Sequence, residues 1–195
     1  MDHQRIFIAN LSKGRLGQDK ANVMGSLLAT QFQLAAMTRV NQPEEDRADY
    51  PLIIDEFQNF TTDSFASMLA EARKYHLCLT LSHQYTGQID NSLREAVFGN
   101  VGTLVSFRVG NDDAEILEKQ FGGTFLARQF VELDRFEVHV KMLRAGALQE
   151  PFRATTLAPL GDFRGHRSKF VAHCRQRYAT PRNVVESKLS RWSHN

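Results

Sequence analysis

The 195-residue sequence has no apolar run approaching the roughly 20 residues needed to cross a bilayer, so no membrane span is expected. It has only two cysteines, Cys78 inside an apolar run and Cys174 near the C-terminal end. Neither has metal-ligand spacing, and two are too few for a disulfide framework, so reduced thiols are expected. The first residues lack the long hydrophobic stretch and small-residue cleavage site of a signal peptide, which leaves the cytoplasm as the expected compartment. Internal repeats and low-complexity tracts are also missing, and with them the solenoid and disordered classes. What remains, at 42% hydrophobic and 24% charged residues, is an ordinary globular composition, long enough for one domain and an appendage.

The net charge of +2 conceals an uneven distribution. From Gly161 to Asn195 there are eight Lys or Arg against two Asp or Glu, so this tail carries +6 and the remainder −4. A basic tail on an acidic body suits an anionic partner such as nucleic acid, with Arg175 and Arg177 as candidate contacts. A solvated basic helix surface with no ligand explains the same charges.

Apolar periodicity divides the chain into alternating strand and helix units. Arg5–Leu11 is a nearly continuous apolar run, as expected of a strand buried on both faces of a parallel sheet. From Asp19 to about Arg39, Met24, Leu27, Leu28, Phe32, Ala35 and Ala36 recur at helical spacing, and Pro43 breaks the pattern. Pro51–Ile54 reads as the next strand; a helix capped by Asp63 or a preceding Thr follows, carrying Phe65, Met68, Leu69 and Ala72. Leu77–Ser82 is a third strand, followed by a helix marked by Ile89, Leu93, Ala96 and Val97. Val101–Val109 is a fourth, followed by a helix from Asp112.

Alternation of this kind predicts an α/β domain with a mostly parallel sheet and helices on both faces. After Leu133, period-two alternation at Phe136, Val138, Val140 and Met142, with a turn at Ala145-Gly146, predicts a C-terminal edge hairpin. Two helices beyond Pro159 form the basic tail. The expected division is residues 1–160 and 161–195.

Open parallel sheets bind ligands at the carboxyl ends of their strands. At the first such end, Leu52-Ile53-Ile54 delivers Asp55 and Glu56. An apolar strand ending in two carboxylates suits a Walker B site, where Asp55 would hold Mg²⁺ and Glu56 would orient and deprotonate the attacking water. A surface carboxyl pair favouring the next helix N-terminus accounts equally for the pentapeptide. The next strand end brings Ser82-His83-Gln84, whose amide at Gln84 can donate to phosphate and accept from water. A solvated loop glutamine is the plainer reading. His83 lacks a partnered Ser, Cys or metal ligand and is ranked below Gln84 as a catalytic group.

Five segments in register with these elements carry a family resemblance: Asn10-Leu11-Ser12-Lys13-Gly14, Asp55-Glu56-Phe57-Gln58-Asn59-Phe60, Glu71-Ala72-Arg73-Lys74-Tyr75, Ser82-His83-Gln84-Tyr85, and Gly99-Asn100-Val101-Gly102-Thr103 with Phe107-Arg108-Val109-Gly110. Over residues 5–160 the chain resembles the second half of the conjugative type IV coupling-protein and HerA/FtsK-like ATPases. The resemblance implies a RecA-like fold, ATP and Mg²⁺ as cofactors, and a hexameric ring of like subunits that moves DNA. It also implies Arg73 as an arginine finger reaching a neighbouring subunit's ATP, where an exposed helix-end arginine is the plainer reading. Relaxosome or secretion-channel proteins are further implied partners, at the cytoplasmic face of the inner membrane through an anchor outside this sequence. Arg108 is a lesser candidate for an ion pair or subunit contact. Lys13 and Arg15, beside Gly14 and Gly17, are candidates for phosphate or DNA contact, and a solvated turn explains them as well.

The sequence departs from that family in one respect: it contains no G-x-x-x-x-G-K-[ST] P-loop. Gly14–Lys20 has the wrong spacing and no Ser or Thr after its lysine. Without the backbone nest, lysine and hydroxyl of a P-loop, most nucleotide-binding energy is missing, so the polypeptide alone is expected to be inactive. A truncated reading frame or gene fragment would account for this. Two other readings stand beside the motor: a non-catalytic DNA- or protein-binding module of a secretion or mobile-element system, and a HerA-type repair translocase.

Overall fold

The computed structural model describes residues 1, 5–61, 63–159, 161 and 165–193; for residues 63 and 64 only the backbone is described. It divides into two compact units, Met1–Thr156 and Leu157–Asn195.

The first unit opens with a short helix, α1 (Lys13–Leu16), and a long one, α2 (Gln18–Met37). Strand β1 (Tyr50–Ile54), helix α3 (Asp63–Glu71) and strand β2 (Leu77–Leu81) follow, then α4 (Asn91–Asn100), β3 (Thr103–Ser106), α5 (Asn111–Gln120) and α6 (Ala127–Val131). The unit closes with β4 (Glu137–Arg144), β5 (Ala147–Leu148) and β6 (Phe152–Thr155). The class is α/β, as the alternation requires. The cap expected for α3, at Asp63 or a preceding Thr, falls outside the described side chains.

β1 and β2 pair in parallel, with Tyr50 opposite Leu77 and Ile54 opposite Leu81. The inward residues Tyr50, Leu52, Ile54, Leu79 and Leu81 pack on a core built from Phe57, Phe65, Met68, Leu77, Leu93 and Val97. The other face, with Pro51, Ile53, Cys78 and Thr80, is exposed. The expectation of helices on both faces is therefore corrected: among the described residues only one face of this pair is covered. β3, expected to extend the parallel sheet, instead runs antiparallel to β4, as does β6, while β5 completes the hairpin. Among the described residues, parallel pairing is confined to β1 and β2.

Two further expectations are corrected. Residues 5–11 form no strand; Ile6 and Ile8 are 91% and 86% exposed, and a cleft of about 1070 Å³ lies between this segment and β1. Its Phe7 ring packs against Phe32, at 5.6 Å between centroids. Without a ladder in reach, a strand's backbone groups gain nothing from extension. On α2 the buried stripe is Ala21, Gly25, Ala29 and Ala36, whereas Met24 and Leu27 face outward. Small residues win that face because the neighbouring ring of Phe60 lies directly on the helix backbone at Gly25.

A second core surrounds α5 and α6 through Ala114, Leu117, Phe121 and Phe130. His139 of β4 is fully buried beside it, its ring stacked on Phe125 at 3.8 Å and edge-on to Phe130 at 4.7 Å.

The second unit consists of α7 (Arg167–Tyr178) and α8 (Arg182–Trp192), whose residues are exposed throughout. Among the described residues, no helix of either unit is long and apolar enough to cross a membrane.

Candidate functional site

Parallel pairing brings the carboxyl ends of β1 and β2 side by side, and each strand spills directly into polar residues. The ladder continues one step past both: the Ser82 amide donates to the Ile54 carbonyl at 3.1 Å, and the Phe57 amide donates to the Ser82 carbonyl at 3.1 Å. Asp55 and Glu56 are thus clamped in a tight turn against the end of β2. Glu56 adopts a left-handed backbone conformation, with φ of 51°, which swings its side chain out of the strand direction. Such a conformation costs a non-glycine residue about 1 kcal/mol and persists where the surroundings enforce it.

The side chains converge as the backbone directs. Gln84 Nε2 donates to Glu56 Oε1 at 2.9 Å, and Gln58 Nε2 donates to Glu56 Oε2 at 2.8 Å. Both oxygens of Glu56 are therefore held by neutral amides, which orient a carboxylate without neutralising it. Asp55 Oδ1 accepts from the Ser82 hydroxyl at 2.5 Å and from the Glu56 amide at 3.1 Å. Beneath the turn, Asn59 Nδ2 donates to the Glu56 carbonyl at 3.0 Å, while Asn59 Oδ1 accepts from Lys13 Nζ at 2.9 Å. This bond places the α1 lysine at the rim of the cleft that Asp55, Glu56 and Asn59 also line.

Several of these residues carried no signal of their own in the sequence. Ser82, Gln58 and Asn59 are common surface types, and only the hydrogen bonds reveal their part. One signal was available: all three lie within three residues of Glu56 or Gln84, on segments already singled out.

The remaining candidates lie elsewhere. Arg73 sits in a 3₁₀ turn before β2, exposed, at the opposite end of the strand from Gln84. Five strand residues separate the two levels by roughly 16 Å, so Arg73 does not serve the site of its own chain. Arg15 and Arg108 are exposed, Arg108 lying beyond the end of β3. Arg175 and Arg177 belong to the last turn of α7 in the second unit. The His83 ring packs edge-on against Phe57 at 5.5 Å.

Among the described residues no group of three or more His, Cys, Asp or Glu surrounds a common point. Magnesium is commonly held by one or two carboxylates together with phosphate oxygens and water, and Asp55 with Glu56 matches that requirement. Gln58 Oε1, on the amide that holds Glu56, is buried without a hydrogen-bond partner.

Residues 50–124, which contain β1, β2 and this site, match the family model described as the TraM recognition site of TraD and TraG. No curated protein matches the chain significantly. Among solved structures, the bacterial conjugative coupling protein TrwBdeltaN70, in an unbound monoclinic form, is similar with a TM-score of 0.58 and 16% identity, over 73% of this chain and 39% of that one. The plasmid coupling protein TrwB in complex with the non-hydrolysable GTP analogue GDPNP is similar with a TM-score of 0.52 and 17% identity, over 66% of this chain and 36% of that one. At these identities the structural likeness establishes the fold. The chain spans well under half the length of these coupling proteins. The resemblance read from the sequence, to the C-terminal part of the conjugative coupling proteins, is borne out by the family match over residues 50–124 and by the fold.

Proposed function

We propose that this chain supplies the carboxylate-and-amide side of a nucleoside triphosphatase site in a DNA-translocating motor of the conjugative coupling-protein kind. The observation that carries the reading is the Gln84–Glu56 hydrogen bond of 2.9 Å across the ends of two parallel strands. Asp55, steadied by Ser82, would hold Mg²⁺. Glu56, gripped by Gln58 and Gln84, would orient the attacking water and accept its proton. Gln84, bound to Glu56 and able to donate to phosphate, would report the nucleotide's state to the loop it belongs to. The bound magnesium-nucleotide would supply the electrophilic phosphoryl group. The GTP analogue named for the TrwB complex supports a purine nucleotide as ligand.

Arg73 would act on the site of a neighbouring subunit, which its distance from its own Glu56 favours. Exposed apolar side chains at Val23, Met24 and Leu27 of α2 and at Ile53 of β1 support burial against further protein in a ring of like subunits. DNA would be contacted by basic groups including Lys13, Arg15, Arg175 and Arg177.

Hydrolysis of ATP and GTP with Mg²⁺, measured for this chain alone and for the chain co-expressed with a P-loop-bearing polypeptide of a coupling protein, tests the proposal. The chain alone is expected to be inactive. The mixture should turn over and lose about 100-fold or more of its rate with Glu56→Gln. Turnover by the chain alone that Glu56→Gln abolishes overturns the dependence on a P-loop. A mixture indifferent to Glu56→Gln overturns the site.

A second reading has its own support. The matched family model is described as a recognition site, so the same surface would bind a relaxosome protein without catalysis. Partner binding that survives both Asp55→Ala and deletion of residues 161–195 would favour that reading.

A further inference from the structure

The loop that carries Gln84 is held from a direction the site itself does not explain. Between β2 and α4 the chain passes through Ser82, Gln84, Thr86 and Gln88. Ser82 and Gln84 reach Asp55 and Glu56, and Gln88 Oε1 accepts from Gln58 Nε2 at 3.0 Å. Thr86, between these contacts, faces the other way. It is buried, and both its amide (3.0 Å) and its hydroxyl (2.5 Å) donate to Oδ1 of Asp113, itself buried in the first turn of α5.

A buried carboxylate is costly unless donors surround it, and the α5 N-terminus alone would reward an exposed one as well. Asp113 instead spends its oxygen on a residue 27 positions away, across the boundary between the two cores of the first unit. Two donors from one residue to one oxygen fix both the backbone and the side chain of Thr86. Because Thr86 lies two residues from Gln84 and two from Gln88, fixing it sets how far both amides extend toward the carboxylate turn.

We propose that Asp113 is a positioning residue: through Thr86 it fixes the β2–α4 loop so that Gln84 holds Glu56, and it ties the site to α5. This deepens, and rests on, the reading of Glu56 and Gln84 as a nucleotide site. Movement of the Gln84 amide would pass to α5 through this link, and movement of α5 would release Glu56 from Gln84.

The test uses the full ¹⁵N-labelled chain. The side-chain amide signal of Gln84, identified by its loss in Gln84→Glu, is followed together with hydrogen exchange of the backbone amide at position 86. Thr86→Val removes the hydroxyl while keeping the shape, Thr86→Ser restores it, Asp113→Ala removes the acceptor and Asp113→Asn keeps one. Thr86→Val and Asp113→Ala should shift the Gln84 signal and speed exchange at position 86 about tenfold or more, with helix content unchanged. Thr86→Ser should resemble the parent chain. If Asp113→Ala does not fold, Thr86→Val decides, with Asp113→Asn expected to resemble the parent chain.

A Gln84 signal that stays in place in folded Thr86→Val overturns the proposal, as does failure of Thr86→Ser to rescue. The hydrolysis assay separates the two claims. With the P-loop-bearing partner, Thr86→Val should lower kcat about tenfold with KM nearly unchanged. A Gln84 response without turnover in the parent mixture would sink the nucleotide reading and leave the positioning role standing. Turnover with kcat and the Gln84 signal both indifferent to Thr86→Val would sink the positioning role alone.

Discussion

Gln84 and Glu56, 28 residues apart in the chain, meet at 2.9 Å because two short parallel strands end at the same level. The contact is exposed on the Gln84 side, so water competes for it. Gln84→Ala should therefore cost well under about 1 kcal/mol of stability, read from a denaturant midpoint. Turnover in the assembled motor should nonetheless fall by about tenfold or more, since Glu56 loses one of its two orienting amides. A large stability loss with turnover intact would assign Gln84 a structural role instead.

Gly25 allows Phe60, four residues beyond Glu56, to rest on α2. A Cβ at position 25 would meet three ring carbons of Phe60 at 2.0, 2.4 and 2.7 Å, which forces the ring to move. Gly25→Ala normally strengthens a helix, by up to about 1 kcal/mol. Here overpacking should dominate and the variant should be less stable by about 1–3 kcal/mol. Thermal unfolding checks this, and Gly25→Ala combined with Phe60→Leu should recover part of the loss. Stabilisation by Gly25→Ala alone would show that Phe60 is loosely held.

The strands, the acidic pair and the amide were legible because each rests on local pattern. Leu52–Ile54 and Leu77–Leu81 are short apolar runs, and polar residues follow each directly. What the pattern hid depends on neighbours distant in sequence. The left-handed backbone at Glu56 has no glycine to announce it. The buried face of α2 went to alanines and a glycine because Phe60 needed room, which a hydrophobicity pattern assigns to the larger residues instead. The run at residues 5–11 has a strand's composition, but extension needs a ladder to pair with, and composition does not reveal whether one is in reach. The Thr86–Asp113 link joins two isolated residues of ordinary type, and no period marks either.

His139 predicts a pH dependence with a definite sign. Its ring is fully buried among Phe121, Phe125 and Phe130. Burial first, and then the Arg153 charge, lower its pKa from the ordinary imidazole value, with Glu137 opposing. The folded chain thus binds this proton less tightly than the unfolded chain does. The stability tied to neutral His139 is complete above about pH 6.5 and is lost as pH falls toward and through the lowered folded value. Glu137, held below the usual carboxylate range chiefly by its hydrogen bond from Arg153, titrates in a more acid window. Urea midpoints between pH 7.5 and 5 should fall for the parent chain and change less for His139→Phe. Equal slopes in both proteins would exclude His139 as the source.

The tail makes a prediction that separates charge from shape. α7 and α8 carry Arg167, Lys169, Arg175, Arg177, Arg182, Lys188 and Arg191, against Glu186 paired to Arg182 at 2.6 Å. If this surface contacts DNA, it does so through phosphates, since exposed flexible cations read charge and not base identity. Binding of duplex DNA by the full chain should then weaken steeply with salt and show little sequence preference. Replacing both Arg175 and Arg177 with alanine should reduce the slope of log affinity against log salt by about two, equally for unrelated sequences. An acidic protein partner would also respond to salt, but without the same slope on any duplex. If the double variant binds DNA with an unchanged slope, the tail is not the DNA contact, and its basic surface is left to a protein partner.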